Sequence, residues 1–276
     1  MKDMNRIHVD MHALTVGPNT FYYASEPDVG LELSRAQNDA MAEVVRATPD
    51  RFVGLGVAPL QDPALAAEET ERAVGTLGLR GIQIGPSVNG KNLDDLGLEP
   101  FYAKVEKLGA LISVHPDADV EHPLAGLVGE RLEKYAFGNL IGNPLDTTIA
   151  IASVVFGGVL ERHPRLKFLF LHGGGFAPYQ RGRWEHGFKV REVTRVNISS
   201  PPSKYISLLT FDTITHYEPA LRYLISSMSS DNVALGSDYA ADMSDPDPVE
   251  TVKRLNLPKE DEEKILCKNA RRLLGI

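Results

Sequence analysis

Four residues in this chain pair a reactive side chain with a revealing position: His115, His172, Asp212 and Asp238. Each closes a short apolar run, where a polar group can face a cleft. Two imidazoles and a carboxylate meeting at one mouth are the donor types that hold zinc or a similar divalent ion. The same set could also exchange protons as an acid/base site. Taken singly, each has a plainer reading: His115 in His-Pro can hydrogen-bond a loop, and Asp238 can cap a helix. Asp212 reads as a structural hydrogen-bonding residue. After His172 come Gly173, Gly174 and Gly175, which let the backbone turn sharply and approach a ligand. Arg181 and Arg183 follow, planar cations suited to gripping a carboxylate.

The elements that must position these groups can be read in order. Strand patterns occur at His8–Thr15, Phe52–Ala58, Gly81–Ile84, Ala110–Val114, Phe168–Leu171, Ser207–Asp212 and Val233–Gly236. Helical periodicity runs between them from Pro27, Asp62-Pro63, Pro100, Pro144 and Glu218-Pro219, with two closing helices ending at Leu274. Asn89-Gly90 reads as part of a loop. The stretch from Asp117 to Asn143 reads as an elaborated loop over the site, and Met1 to Ile7 as the middle of a helix. Strands alternating with helices imply a parallel sheet. One domain spanning 1–276 with the architecture of a (β/α)8 barrel is expected, although only seven strands can be counted.

Composition narrows the partners. The 276 residues carry a net charge of -8, and no basic run occurs, which argues against nucleic acid. A small carboxylate substrate would need its cations concentrated locally, as at Arg181 and Arg183. No apolar run is long enough to span a membrane. The single cysteine, Cys267, has no partner in the chain for a disulfide, so a reducing cytoplasm is the natural compartment.

Several motifs, in this order, resemble the amidohydrolase superfamily, most closely the branch of aminocarboxymuconate-semialdehyde decarboxylase. They are Val114-His115-Pro116, His172-Gly-Gly-Gly, Gly182-Arg183-x-x-His186-Gly and Leu235-Gly-Ser-Asp238-Tyr239. Pro49-Asp-Arg-Phe-Val-Gly-Leu-Gly, Gly81-Ile-Gln-Ile-Gly and Pro144-Leu-Asp-Thr-Thr-Ile-Ala-Ile are similar to that group as well. The resemblance covers essentially the whole chain. It implies a metal-dependent hydrolase-type TIM barrel with one divalent metal, usually zinc. By it, His115 and Asp238 would be metal ligands, and His172 would handle a proton beside them. Arg183 would bind a substrate carboxylate across the interface of a homodimer or higher homo-oligomer. The implied activity is non-oxidative decarboxylation of a small unsaturated or aromatic carboxylic acid. Hydrolysis of a lactone or amide is the alternative, and a catalytically impaired remnant of the fold is a third possibility.

The departures from the family are specific. Its first strand supplies two further ligands from a His-x-His, and no His-x-His occurs here. His8 and His12 do not replace it, since four residues along a strand separate them by about 13 Å at ~3.3 Å per residue. The first strand is therefore expected to be missing, leaving two bare sheet edges and weak metal retention. Relatives carry aromatic residues where Asp117, Ala240 and Ala241 stand, which argues against assuming the aminocarboxymuconate substrate. His122, His163, His186 and His216 are expected at surface, loop or supporting positions.

Overall fold

Each strand is short, apolar and followed by a turn, and the chain lays these strands side by side in the order in which it makes them. The computed structural model describes residues 1–116 and 129–276. The strands are β1 (His12–Leu14), β2 (Phe52–Gly54), β3 (Gly81–Ile84), β4 (Leu111–Val114), β5 (Lys167–Phe170), β6 (Thr210–Asp212) and β7 (Val233–Ala234). β3 to β7 form one parallel sheet in chain order, and β1 pairs in parallel with β2. A parallel bridge from Gly56 to Ile82 joins the two groups, with the Gly56 N–H donating to Gly81 O at 2.9 Å. All seven strands foreseen from the pattern are present, in the α/β barrel arrangement.

The main crossover helices are α1 (Pro27–Ala47), α2 (Pro63–Glu71), α3 (Glu99–Leu108), α4 (Asn143–Phe156), α5 (Ala177–Val190) and α6 (Glu218–Met228). All six carry a proline in the first turn, where its missing N–H costs nothing and its fixed φ favours the helix. Asp62 caps α2 by accepting from the N–H groups of Ala64 and Leu65, both at 3.0 Å. The core lies between these helices and the sheet. Phe168 and Phe170, two apart on β5, share a face and stack at 5.6 Å between centroids. Both are fully buried, as are Ile82, Ile84, Ile112, Val114 and Phe211. Each such side chain stabilises the fold by roughly 1.5–3 kcal/mol.

Three expectations need correction. The first strand does not reach His8, which is exposed and sits at φ 57° just after a short helix, Lys2–Arg6. The sixth is shorter than the apolar run, because Ser207 and Leu208 close the helix Pro202–Ile206 with backbone bonds to Ser203 and Tyr205. Asn89-Gly90 is the tip of a small hairpin pairing Ser87–Val88 with Lys91–Asn92, both tip residues having positive φ, as such a turn requires. Of the stretch between Asp117 and Asn143, residues 117–128 lie outside the described residues. The remainder holds a 3-10 turn at Gly129–Leu132 and a wide helical turn at Gly138–Gly142 that runs directly into α4.

The two barrel edges are not equally bare. At β7 the N–H of Leu235 donates to Ile265 O at 2.9 Å, and Asn269 Nδ2 donates to Val233 O at 2.7 Å. The C-terminal segment thus occupies polar groups expected to stand unpaired. Beside it, Met4, Ile7 and Val9 bury themselves against Val249, with Phe52, Leu235 and Leu266 packed around them.

Candidate metal and proton-transfer site

β4, β5 and β7 each stop one to four residues before a site residue, so their carboxyl ends point three side chains at one space. His115 follows β4, His172 follows β5 by one residue, and Asp238 lies beyond β7. One ligand atom from each lies within 4.8 Å of the others. His115 Nε2 is 3.7 Å from Asp238 Oδ1, and His172 Nε2 is 3.8 Å from Asp238 Oδ2. The two imidazoles meet edge to face at 5.0 Å. These gaps exceed hydrogen-bond length, so the groups face a common point without satisfying one another. The His115 ring is oriented by its own backbone, with Nδ1 2.7 Å from Pro116 O. That bond places a proton on Nδ1 and turns the Nε2 edge of the ring toward Asp238. The donor set and its spacing fit a divalent ion.

Electrostatics bind the cluster together. Burial works to raise the Asp238 carboxyl, but the imidazoles of His115 and His172 outweigh it and hold the group well below the usual carboxylate range. Burial works to lower His172, and the carboxylates of Asp238 and Asp212 outweigh that, raising it above the ordinary histidine value. Both His172 and Asp238 have left-handed backbones, at φ 54° and 52°. Such conformations cost of order 1–3 kcal/mol each in a non-glycine residue and persist where the surroundings hold them.

Asp212 does what its sequence position implied. It is buried, and Oδ1 accepts from the N–H groups of Gly173 at 2.7 Å and Ile214 at 3.1 Å. Burial pushes its carboxyl up. Thr213 and Gly236 were not anticipated: Thr213 Oγ1 accepts from the Gly236 N–H at 3.1 Å, tying β6 to β7. A hydroxyl directly after Asp212 at the end of an apolar strand was the available signal.

The arginines separate. Arg181 is half-buried and donates to Ser227 O at the end of α6, so it braces a helix instead of awaiting a ligand. Arg183 lies on α5, exposed, and no partner holds it among the described residues. His12 stays out of the cluster: it is half-exposed on β1, 6.4 Å from the Tyr239 ring, with a buried Nε2 that makes no hydrogen bond among the described residues. His186 and His216 are exposed as expected, and His122 lies outside the described residues. His163 is buried instead, with Nε2 2.7 Å from Glu99 Oε2.

The chain is similar to known proteins along its whole length. The amidohydrolase family profile matches residues 2–276. The chain is 38% identical over 281 residues to the 2-amino-3-carboxymuconate-6-semialdehyde decarboxylase of Dictyostelium discoideum, covering 100% of this chain and 76% of that protein. Among solved structures, 5-carboxyvanillate decarboxylase from Sphingomonas paucimobilis superposes with a TM-score of 0.90 at 28% identity, covering 100% of this chain and 82% of that one. A 5-carboxyvanillate decarboxylase from Novosphingobium aromaticivorans, complexed with manganese and 4-hydroxy-3-methoxy-5-nitrobenzoic acid, has the same fold at 22% identity and a TM-score of 0.90, covering 100% of this chain and 79% of that one.

Proposed function

Because this chain belongs to the amidohydrolase family, we propose that it is a metal-dependent, non-oxidative decarboxylase of a small unsaturated or aromatic carboxylic acid. The observation that carries this reading is the convergence of His115, His172 and Asp238 within 4.8 Å. His115 and Asp238 would hold a divalent ion, zinc or manganese, the metal bound in the Novosphingobium structure. When bound, such an ion polarises a substrate oxygen and makes hydroxide available near neutral pH.

The chain's own groups supply the rest. His172 Nε2 carries a proton, held by attraction to Asp238 Oδ2 across 3.8 Å. It delivers that proton to the carbon bearing the leaving carboxylate. The electron pair of the breaking carbon–carbon bond stays on that carbon and becomes the new C–H bond, and carbon dioxide departs. Arg183 grips a carboxylate through charge-assisted hydrogen bonds. Its exposure on α5 supports a role across a homodimer interface, where it would reach a neighbouring pocket. The chain acts as a single domain in the cytoplasm, consistent with its exposed free Cys267. No helix among the described residues is long and apolar enough to cross a membrane.

The test is carbon dioxide release from a panel of ortho-hydroxybenzoates and aminocarboxymuconate semialdehyde, before and after dialysis against a chelator. Activity should fall below about a tenth on metal removal and return with added zinc or manganese. Release that persists without metal, or hydrolysis of a lactone panel in place of decarboxylation, would overturn the reading.

A further inference from the structure

His172 and Asp238 stand on strands that do not touch. Between β5 and β7 runs β6, which contributes nothing to the cluster of three. β6 is thus the strand that both the proton carrier's strand and the carboxylate's strand are paired with. We propose that Asp212 and Thr213, adjacent at the end of β6, are positioning residues that set the separation of His172 from Asp238. The inference rests on the decarboxylase reading of that site.

Asp212 works toward β5. Its Oδ1 takes the N–H of Gly173, the residue directly after His172, at 2.7 Å, and is itself fixed by the Ile214 N–H at 3.1 Å. Thr213 works toward β7. Its Oγ1 takes the N–H of Gly236 at 3.1 Å and lies 3.4 Å from Gly236 O, two residues before Asp238. Asp212 and Thr213 are 4% and 2% exposed, so water does not compete for these bonds. The fit is close: a Cβ on Gly236 would lie 2.9 Å from Asp212 Cβ, so only glycine lets β7 approach this far. Each clamp is anchored within two residues of a left-handed site residue. With either clamp gone, the neighbouring residue is free to relax toward an ordinary φ and swing its side chain out of line.

The experiment compares Asp212→Ala and Thr213→Val, which remove the acceptors, with Asp212→Asn and Thr213→Ser, which keep them. Crystal structures of all four give the His172 Nε2 to Asp238 Oδ2 distance, 3.8 Å in the parent. Steady-state assays with the best acid of the panel give kcat and KM separately. Removing an acceptor should widen the gap by about 1 Å or more and lower kcat at least tenfold, with KM within about threefold, as expected where misplacement near 1 Å is costly. The two acceptor-keeping variants should restore both distance and kcat to within about threefold. Should Asp212→Ala fail to fold, the isosteric Thr213→Val and its Thr213→Ser counterpart decide the question. An unchanged gap in Thr213→Val, or equal losses in Thr213→Ser and Thr213→Val, would overturn the proposal. If the parent decarboxylates nothing in the panel, the activity reading fails, while the distances still decide whether β6 sets the spacing.

Discussion

The β4–β7 half of the barrel and the β1–β2 arc repeat the same unit but differ in what holds the turns at their strand ends. In the first, neighbouring strands are in register along one sheet, and side chains of β6 clamp the turns on both flanks. In the second, three residue pairs join β1 to β2, backbone hydrogen bonds from Arg80 to Gly54, Gly56 to Gly81 and Gln83 to Gly56 tie the arc to β3, and apolar packing of Met4, Ile7 and Val9 lies beside it. Side-chain hydrogen bonds from Asp212 and Thr213 to neighbouring turns add directional constraints to the β5 and β7 strand ends. All three converging site residues come from the β4–β7 half. Chemistry that depends on a few tenths of an ångström belongs there.

The largest break in this comparison is kinetic. His172→Gln, in the clamped half, should lower kcat by about 10²–10⁴-fold through loss of proton transfer. His12→Gln on β1 should leave kcat within about threefold despite its equal chemical potential as an imidazole. A matched loss from both, measured as carbon dioxide release, would mean the β1 arc contributes to the site after all.

The next contrast is in stability. Phe168→Ala opens a cavity in the centre of the sheet core and should cost about 3–5 kcal/mol by denaturant unfolding. Met4→Ala, in the cluster beside the arc, should cost about 2 kcal/mol, the low end for such a truncation, because a short terminal helix can settle into the space. Equal costs would show the two halves to be equally rigid.

Gly174→Ala sharpens the comparison further. Its φ is 75°, and an added Cβ would meet Phe211 Cδ1 at 2.4 Å, so overpacking of about 1–3 kcal/mol is expected. Kinetics should suffer with stability, since the same turn carries His172.

The smallest effect is electrostatic and pH-dependent. Burial works to raise Glu99, but His163 and Arg162 outweigh it and hold its carboxyl below the ordinary 4.5. A lowered carboxyl pKa stabilises the fold above the ordinary value, and that stabilisation is lost as pH falls through the lowered one. Glu99→Gln should therefore flatten the acid limb of stability by less than about 1 kcal/mol, since both partners are about one-third exposed.

Much of this was legible from residue types, for reasons that differ by element. Strand positions could be read because apolar runs ending in Gly, Pro or a polar residue have few other fates, and five helices announced themselves with a proline near the start. Strand lengths could not, since Ser207 and Leu208 are claimed by a preceding helix that composition does not reveal. His115, His172 and Asp238 were legible because strand ends in a parallel barrel share one mouth. Arg181 was not: a guanidinium suits a carboxylate and a helix-end carbonyl equally well, and only the path of α6 decides for Ser227 O. His163 was hidden for a similar reason, its partner Glu99 lying on another helix 64 residues away.

The bonds from Asn269 and Ile265 to β7 have a consequence for how molecules meet one another. An uncovered strand is a template on which a second chain can extend the sheet, and growth of that kind ends in precipitate. Here the strand's acceptor at Val233 and its donor at Leu235 are already spoken for by a helical segment that cannot itself propagate a sheet. The carboxyl-terminal segment is thus a chain stopper as much as a structural brace. Preparations in which it is loosened, by Asn269→Ala for example, should scatter light on standing sooner than the parent, even where each folded molecule keeps its site.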